Sequence, residues 1–134
     1  MIERTMSKQT ISTTNAPAAI GTYSQAVRVG NTIWVSGQIP LDPHTKELVG
    51  GDIEAQTRQV FDNLKAVVEA AGATFDDVVE MVTYHIDMSD LQLVMKVKDR
   101  YFTNRYPTWT ALGAPALAMP GLLVEIKCTA ILSG

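Results

Sequence analysis

Apolar positions alternate with period two along most of this chain and switch to a helical period twice. Residues 8–13, KQTIST, read as a short strand, and Pro17 and Gly21 turn the following TNAPAAIGTYS into an extended loop. The runs QAVRV and TIWVSG flank Gly30-Asn31, a two-residue pair suited to a tight hairpin. QIPLDPHTKELVGG, with two prolines and two glycines, reads as a surface loop with room for a short strand at 47–49. Asp52 is then placed to cap a helix in which Ile53, Val60, Leu64, Val67, Val68 and Ala71 recur at helical spacing until Gly72 stops it.

The second half repeats the strand-to-helix switch. DVVEMVTYHIDM is rich in β-formers, and simple alternation sets Val78, Val82, Tyr84 and Ile86 on one face and Val79, Met81, Thr83 and His85 on the other. Ser89 with Gln92 matches a capping box, opening a shorter helix through Leu91, Val94, Val97 and Tyr101. Pro107 precedes a short strand through Leu112, and after the GAPALAMPG loop LLVEIKCTAIL is long enough for one full strand. The order β-β-β-α-β-α-β-β predicts a single α+β domain over residues 1–134, a mostly antiparallel sheet with both helices packed on one face. In the last strand Leu122, Val124, Ile126, Cys128, Ala130 and Leu132 form an apolar row suited to the helices. The other row is mixed, yet carries Leu123 and Ile131, which points to sheet packing between subunits.

Composition narrows the chemistry. A length of 134 residues suffices for one core without staples, and a formal charge of -3 offers no phosphate-neutralising excess, so nucleic acid is not an expected partner. The longest apolar runs are too short to span a bilayer and the start MIERTMSKQT has no signal-peptide core, so a cytoplasmic protein is expected. Met6 is a second candidate start, with residues 1–6 a loose extension. The single cysteine, Cys128, lies on the apolar row, where a thiol is inert, and two scattered histidines, His44 and His85, make no metal-ligand spacing; no metal or cofactor is expected. Trp109, a large aromatic between two threonines, is the residue the pattern leaves unexplained.

NAPAAIGTYSQAV, IWVSGQIPLDP, DIEAQTRQVFDNLKAVVEAAGA and LLVEI together resemble the RidA family, also called YjgF/YER057c/UK114, over nearly the whole chain. The resemblance implies a chorismate-mutase-like fold, a homotrimer with clefts between neighbouring subunits, and hydrolysis of reactive 2-imino and enamino acids to keto acids and ammonia. It implies further that Tyr23, Ser36 and Gly37 line the cleft and that Glu125 positions or activates the attacking water. In the active branch a P-x-R-S pattern supplies an arginine that grips the substrate carboxylate. Residues 107–110 here read P-T-W-T, so Trp109 stands at that position, sharing a strand face with Ala111, and Met95 stands where the branch has an asparagine.

Three functions follow from that resemblance and its departures. One is a divergent imine or enamine deaminase whose cleft, lined by Trp109 and Ala111, accepts a more apolar or less acidic small molecule. Another is a non-catalytic trimer that binds a small ligand in its clefts, which an ion pair of Glu125 with Lys127 or Arg105 would favour. RNA cleavage, an activity attached to the family name, is opposed by the acidic charge and the absence of paired histidines. Trp109 packing at a subunit interface is the bland alternative to a cleft-lining role. Arg105, four residues earlier, is the first candidate to replace the missing arginine, and Lys127 reads as a neutraliser of Glu125.

Overall fold

The computed structural model describes residues 7–133, so the expected loose extension over residues 1–6 lies outside the described residues. Its strands are β1 (Gln9–Ile11), β2 (Ala26–Val29), β3 (Thr32–Gln38), β4 (Val78–His85), β5 (Thr108–Gly113) and β6 (Val124–Ile131). Its helices are α1 (Ile53–Ala70) and α2 (Leu91–Lys98), in the predicted order. The strands form one sheet in the order β1-β2-β3-β6-β4-β5. All neighbours run antiparallel except β4 and β5, which are parallel because α2 provides the crossover between them.

The helices cover one face of the sheet. Asp52 caps α1 through its side chain, accepting from Ala55 N at 2.9 Å, and Gly72 at φ 92° takes the left-handed turn that follows the helix. Val60, Phe61, Leu64, Val67 and Val68 of α1 then meet Val124, Ile126, Cys128 and Ala130 of β6 in a core from which water is excluded. The alternation of β6 thus sets an inner face of small and branched apolar residues and an outer face of Glu125, Lys127, Thr129 and Ile131.

Three readings of local pattern need correction. The β4–β6 register shifts between Val78 and Glu80, so β4 gains a residue there and its facing changes. Val78 consequently joins Met81, Thr83 and His85 on the inner face instead of standing with Val82 and Tyr84. Ser89 is not the cap of α2. Asp87 accepts from Ser89 N and from the Ser89 hydroxyl, opening a short 3₁₀ turn at 88–90 that runs directly into the helix. Residues 47–49 form no strand; Leu41 and Leu48 make one isolated bridge.

Buried amides hold the loops against this frame. Gln56 of α1 donates to Gly121 O and accepts from Leu123 N, which fixes the entry into β6. Asn63 donates to Ile39 O and Leu41 O, holding the chain that leaves β3. Gln25 accepts from Thr13 N at 2.7 Å and donates to Pro17 O at 2.7 Å and Thr13 O at 3.1 Å, so one side chain closes the loop before β2. Gln25→Leu keeps the bulk and leaves these backbone groups unpaired; it is expected to cost about 1–3 kcal/mol. Urea denaturation measures the loss, and hydrogen exchange should show it as faster opening of residues 13–24.

Candidate functional site

Glu125 stands in the middle of β6 on the outer face, paired with Tyr84 across the sheet. Opposite it, β3 carries a bulge: Val35 pairs with Cys128 but Gln38 with Ile126, so Ser36 and Gly37 together face Lys127. The bulge brings the Gly37 Cα under the Glu125 carboxylate. A Cβ at residue 37 would overlap that carboxylate, lying 2.9 Å from Glu125 Cδ, so only glycine leaves the group its place.

No hydrogen-bond or ion partner holds the Glu125 side chain among the described residues; neither Lys127 nor Arg105 pairs with it, and the ion pairs found are Lys98–Asp99 and Arg100–Glu54. Burial without a counter-ion raises its pKa above the ordinary carboxylate value. A half-buried carboxylate of this kind is a ready proton acceptor for a water held beside it.

Ser36, in the β3 bulge beside Gly37, is tied to the loop before β2, which carries Tyr23. Ser36 donates its hydroxyl proton to Ser24 O at 2.7 Å and its backbone N–H to Gln25 O, tying the bulge to the loop end. Its oxygen is left as an acceptor. The Tyr23 hydroxyl accepts from Ile20 N at 3.2 Å and the ring stays half-exposed. Two shallow cavities meet at Ser24. One, of about 280 Å³, is lined by Trp34, Ser36, Glu80 and Lys127 on the outer face. The other, of about 410 Å³, is lined by Tyr23, Thr13, Pro43 and Lys46. Glu125 lines neither, so a single protomer does not enclose its carboxylate.

Trp109 and Ala111 stand apart from that group. They pair with Met81 and Thr83 in the parallel β4–β5 register and so lie on the inner face, opposite to Glu125. The indole N–H donates to Thr83 Oγ1 at 2.9 Å, and Thr83 Oγ1 lies 2.7 Å from His85 Nε2. The Thr83 hydroxyl thus bridges the indole and the imidazole, and the other ring nitrogen, His85 Nδ1, is buried without a partner among the described residues. Burial lowers the His85 pKa, which favours the neutral ring.

Beside the indole lies a residue the sequence pattern did not single out. Lys98, at the end of α2, is only 6% exposed, and its ammonium stands 5.3 Å from the Trp109 ring centre and 5.1 Å from that of Tyr106. Lys98 looked like an ordinary polar helix position; it is buried because β5 and the turn before it fold over the helix end. Arg105 is exposed in that turn with φ 50°, Lys127 is exposed on the outer face, and His44 is exposed in a loop closed by Asp42. Cys128 is buried on the inner face and its thiol is pushed up to about 12.

Comparison with known proteins agrees with this architecture. The family model described as endoribonuclease L-PSP matches residues 13–132. A RutC family protein of Pyrococcus horikoshii is 44% identical over 123 residues, 92% of this chain and 97% of the relative. A protein of Escherichia coli named 2-iminobutanoate/2-iminopropanoate deaminase is 44% identical over 126 residues, 94% of this chain and 97% of that one. Among solved structures, RidA from an Antarctic Psychrobacter species is 45% identical and superposes with a TM-score of 0.88, covering 92% of this chain and 99% of its own. With the sheet order, the helix-covered face and the motifs now joined by whole-length similarity, the chain belongs to the RidA (YjgF/YER057c/UK114) family.

Proposed function

We propose that this protein hydrolyses a reactive imine or enamine to a carbonyl compound and ammonia, in clefts formed between three copies of the chain. The observation that carries the reading is the Glu125 carboxylate, half-buried over Gly37 with no counter-ion among the described residues. The name of the Escherichia coli relative supplies the reaction class. In the proposed step Glu125 accepts a proton from water as the oxygen attacks the imine carbon. The C–N bond then breaks as the nitrogen, having gained protons, leaves as ammonia.

A neighbouring copy is needed to complete the site. Glu125 and Trp109 occupy opposite faces of one sheet, so they can border a common cleft only if β5 of one copy approaches the outer face of the next. The outer face offers apolar side chains for such an approach: Trp34, Leu112 and Ile131 are between 45% and 49% exposed there. Tyr23, Ser36 and Gly37 would border the Glu125 side of the cleft, and Trp109 and Ala111 the opposing side. With its N–H committed to Thr83, Trp109 offers that cleft only a ring face and no donor. The net charge of -3, and the absence among the described residues of an acid or base paired with Glu125, leave RNA cleavage unsupported.

Light scattering is expected to give a particle near three times the 14.6 kDa chain mass. A stable monomer at micromolar concentration would remove the cleft and the reading with it. In an ammonia-release assay over a panel of imines generated in place from amines and amino acids, the wild type should act on at least one. Glu125→Gln should reduce that rate by about 10²–10⁴-fold. Turnover by the Gln variant at the wild-type rate would show that Glu125 is not the base, and release of ammonia from none of the imines would leave a binding protein.

The pH dependence follows from the raised pKa. The base must be ionised, so the acid limb of the rate profile should fall at a pH above the ordinary carboxylate value. Stability runs in the opposite sense: the folded state binds the Glu125 proton more tightly than the unfolded chain does, so ionisation at neutral pH destabilises the fold. Glu125→Gln should therefore melt higher than the wild type at neutral pH, with the gain vanishing as pH falls below the unfolded value of about 4.3. Gly37→Ala provides an independent check. The new methyl group displaces a flexible carboxylate, so the variant should fold and assemble while losing activity to a degree comparable with Glu125→Gln.

A further inference from the structure

Lys98 is the one lysine or arginine buried in the fold among the described residues. Taking an ammonium out of water costs several kcal/mol unless strong partners replace the lost hydration. Its partners here are weak for that purpose. The single hydrogen bond runs to Asp99 Oδ1 at 3.3 Å, from a side chain 56% exposed that adjoins it in sequence, and adjacent residues on a helix do not face each other. The rings of Tyr106 and Trp109 contribute attraction through their faces, not hydrogen-bond acceptors. An ammonium carries three donors, and one is used.

The Lys98 side chain is itself only 8% exposed, but it lies just beneath exposed neighbours. Trp109 is held by the chain of hydrogen bonds through Thr83 to the buried His85, so the ring is fixed by an inner polar network and not by packing alone. Tyr106 and Asp99 are exposed, so the ammonium is roofed on the solvent side by groups that can move. The direction of approach is already occupied by a carboxylate oxygen of the chain itself.

We propose that Lys98, set against the Trp109 and Tyr106 rings, binds the carboxylate of a small organic acid, with Asp99 the resident counter-ion that the ligand displaces. The inference rests on the deaminase reading for its ligand class, since 2-imino acids and their keto-acid products carry this group. It assigns the recognition of that group to a helix residue where the strand position itself presents an uncharged indole. Arg28, the other partly buried cation near the sheet, is committed to Gly30 O and Ala71 O and cannot take the role.

The test uses the assembled full-length chain and 2-oxobutanoate, a stable keto acid, with 2-butanone as its uncharged counterpart. Calorimetric titration should show Lys98→Met weakening 2-oxobutanoate by about tenfold or more, as expected for loss of a charge-assisted bond, with 2-butanone unaffected. Lys98→Arg should stay within a few-fold of wild type. Asp99→Asn, an exposed and structurally mild change, should tighten the acid several-fold by removing the internal competitor. A merely structural Lys98 would not give weaker acid binding in Lys98→Met together with tighter acid binding in Asp99→Asn.

Wild-type indifference to 2-oxobutanoate, equal losses for acid and ketone in Lys98→Met, or weaker binding by Asp99→Asn would overturn the proposal. Should Lys98→Met fail to fold, the Asp99→Asn and Lys98→Arg titrations still decide it. The two readings separate cleanly. Ammonia release with acid binding insensitive to Lys98 sinks this site and leaves the deaminase standing. Acid binding governed by Lys98 and Asp99, without ammonia release from any imine, does the reverse.

Discussion

β6 is hydrogen-bonded on both sides, to β3 and to β4, and this double pairing decides where every side chain of the candidate site points. A strand with two antiparallel neighbours cannot slip by one residue without turning its whole apolar row to water, so the row from Val124 to Ala130 locks Glu125 onto the outer face. Gln56 reinforces the lock by meeting the backbone at Gly121 and Leu123, just before the strand begins. The carboxylate is therefore held in place by the core behind it, and the extra residue of the β3 bulge gives it room.

Placing a carboxylate this way is unfavourable by itself. Half-burial without a cation raises its pKa, and the fold accepts the cost in a position where the sheet is already rigid. Local strain or desolvation of this kind persists only where surrounding structure over-determines it, which the paired strands and buried amides do. On the opposite face the balance is different. There the polar groups of Trp109, Thr83 and His85 satisfy one another in series, leaving the His85 Nδ1 without a partner at the inner end among the described residues. The two faces of the sheet thus carry chemistry of different kinds, an uncommitted base outside and a committed aromatic platform inside.

Much of this architecture was legible in the sequence because its signals are local and periodic. The Asp52 cap, the Gly72 stop, the Gly30-Asn31 hairpin and the β6 alternation all depend on residues within one element. What could not be read depends on pairing between elements. The β4 bulge that moves Val78 to the inner face is set by its register against β6, and no alternation within β4 announces it. Ser89-x-x-Gln92 is a sound capping signature that lost to Asp87, two residues upstream, whose carboxylate took both the backbone N–H and the hydroxyl of Ser89. Lys98 escaped notice for the same reason: on a helical wheel it is a polar position among others, and only the return of β5 over the helix end buries it.

Trp109 shows how a motif position and a side-chain role can part company. Read along the chain, the indole stands where the family resemblance implies a cation, which suggests that charge is simply missing. Seen in the fold, a cation is within 5.3 Å of that ring, supplied from the neighbouring helix. An arginine carries its own fork of donors and positive charge, whereas in the proposed site tryptophan with lysine would divide the work: the ring a flat apolar wall, the ammonium a point charge. The division has a physical consequence for selectivity. A guanidinium fixes a carboxylate by two parallel bonds, but an ammonium constrains it less, leaving the ring face to favour ligands with apolar surface beside the acid. Charge and shape are then set by separate residues, and each can be altered without removing the other.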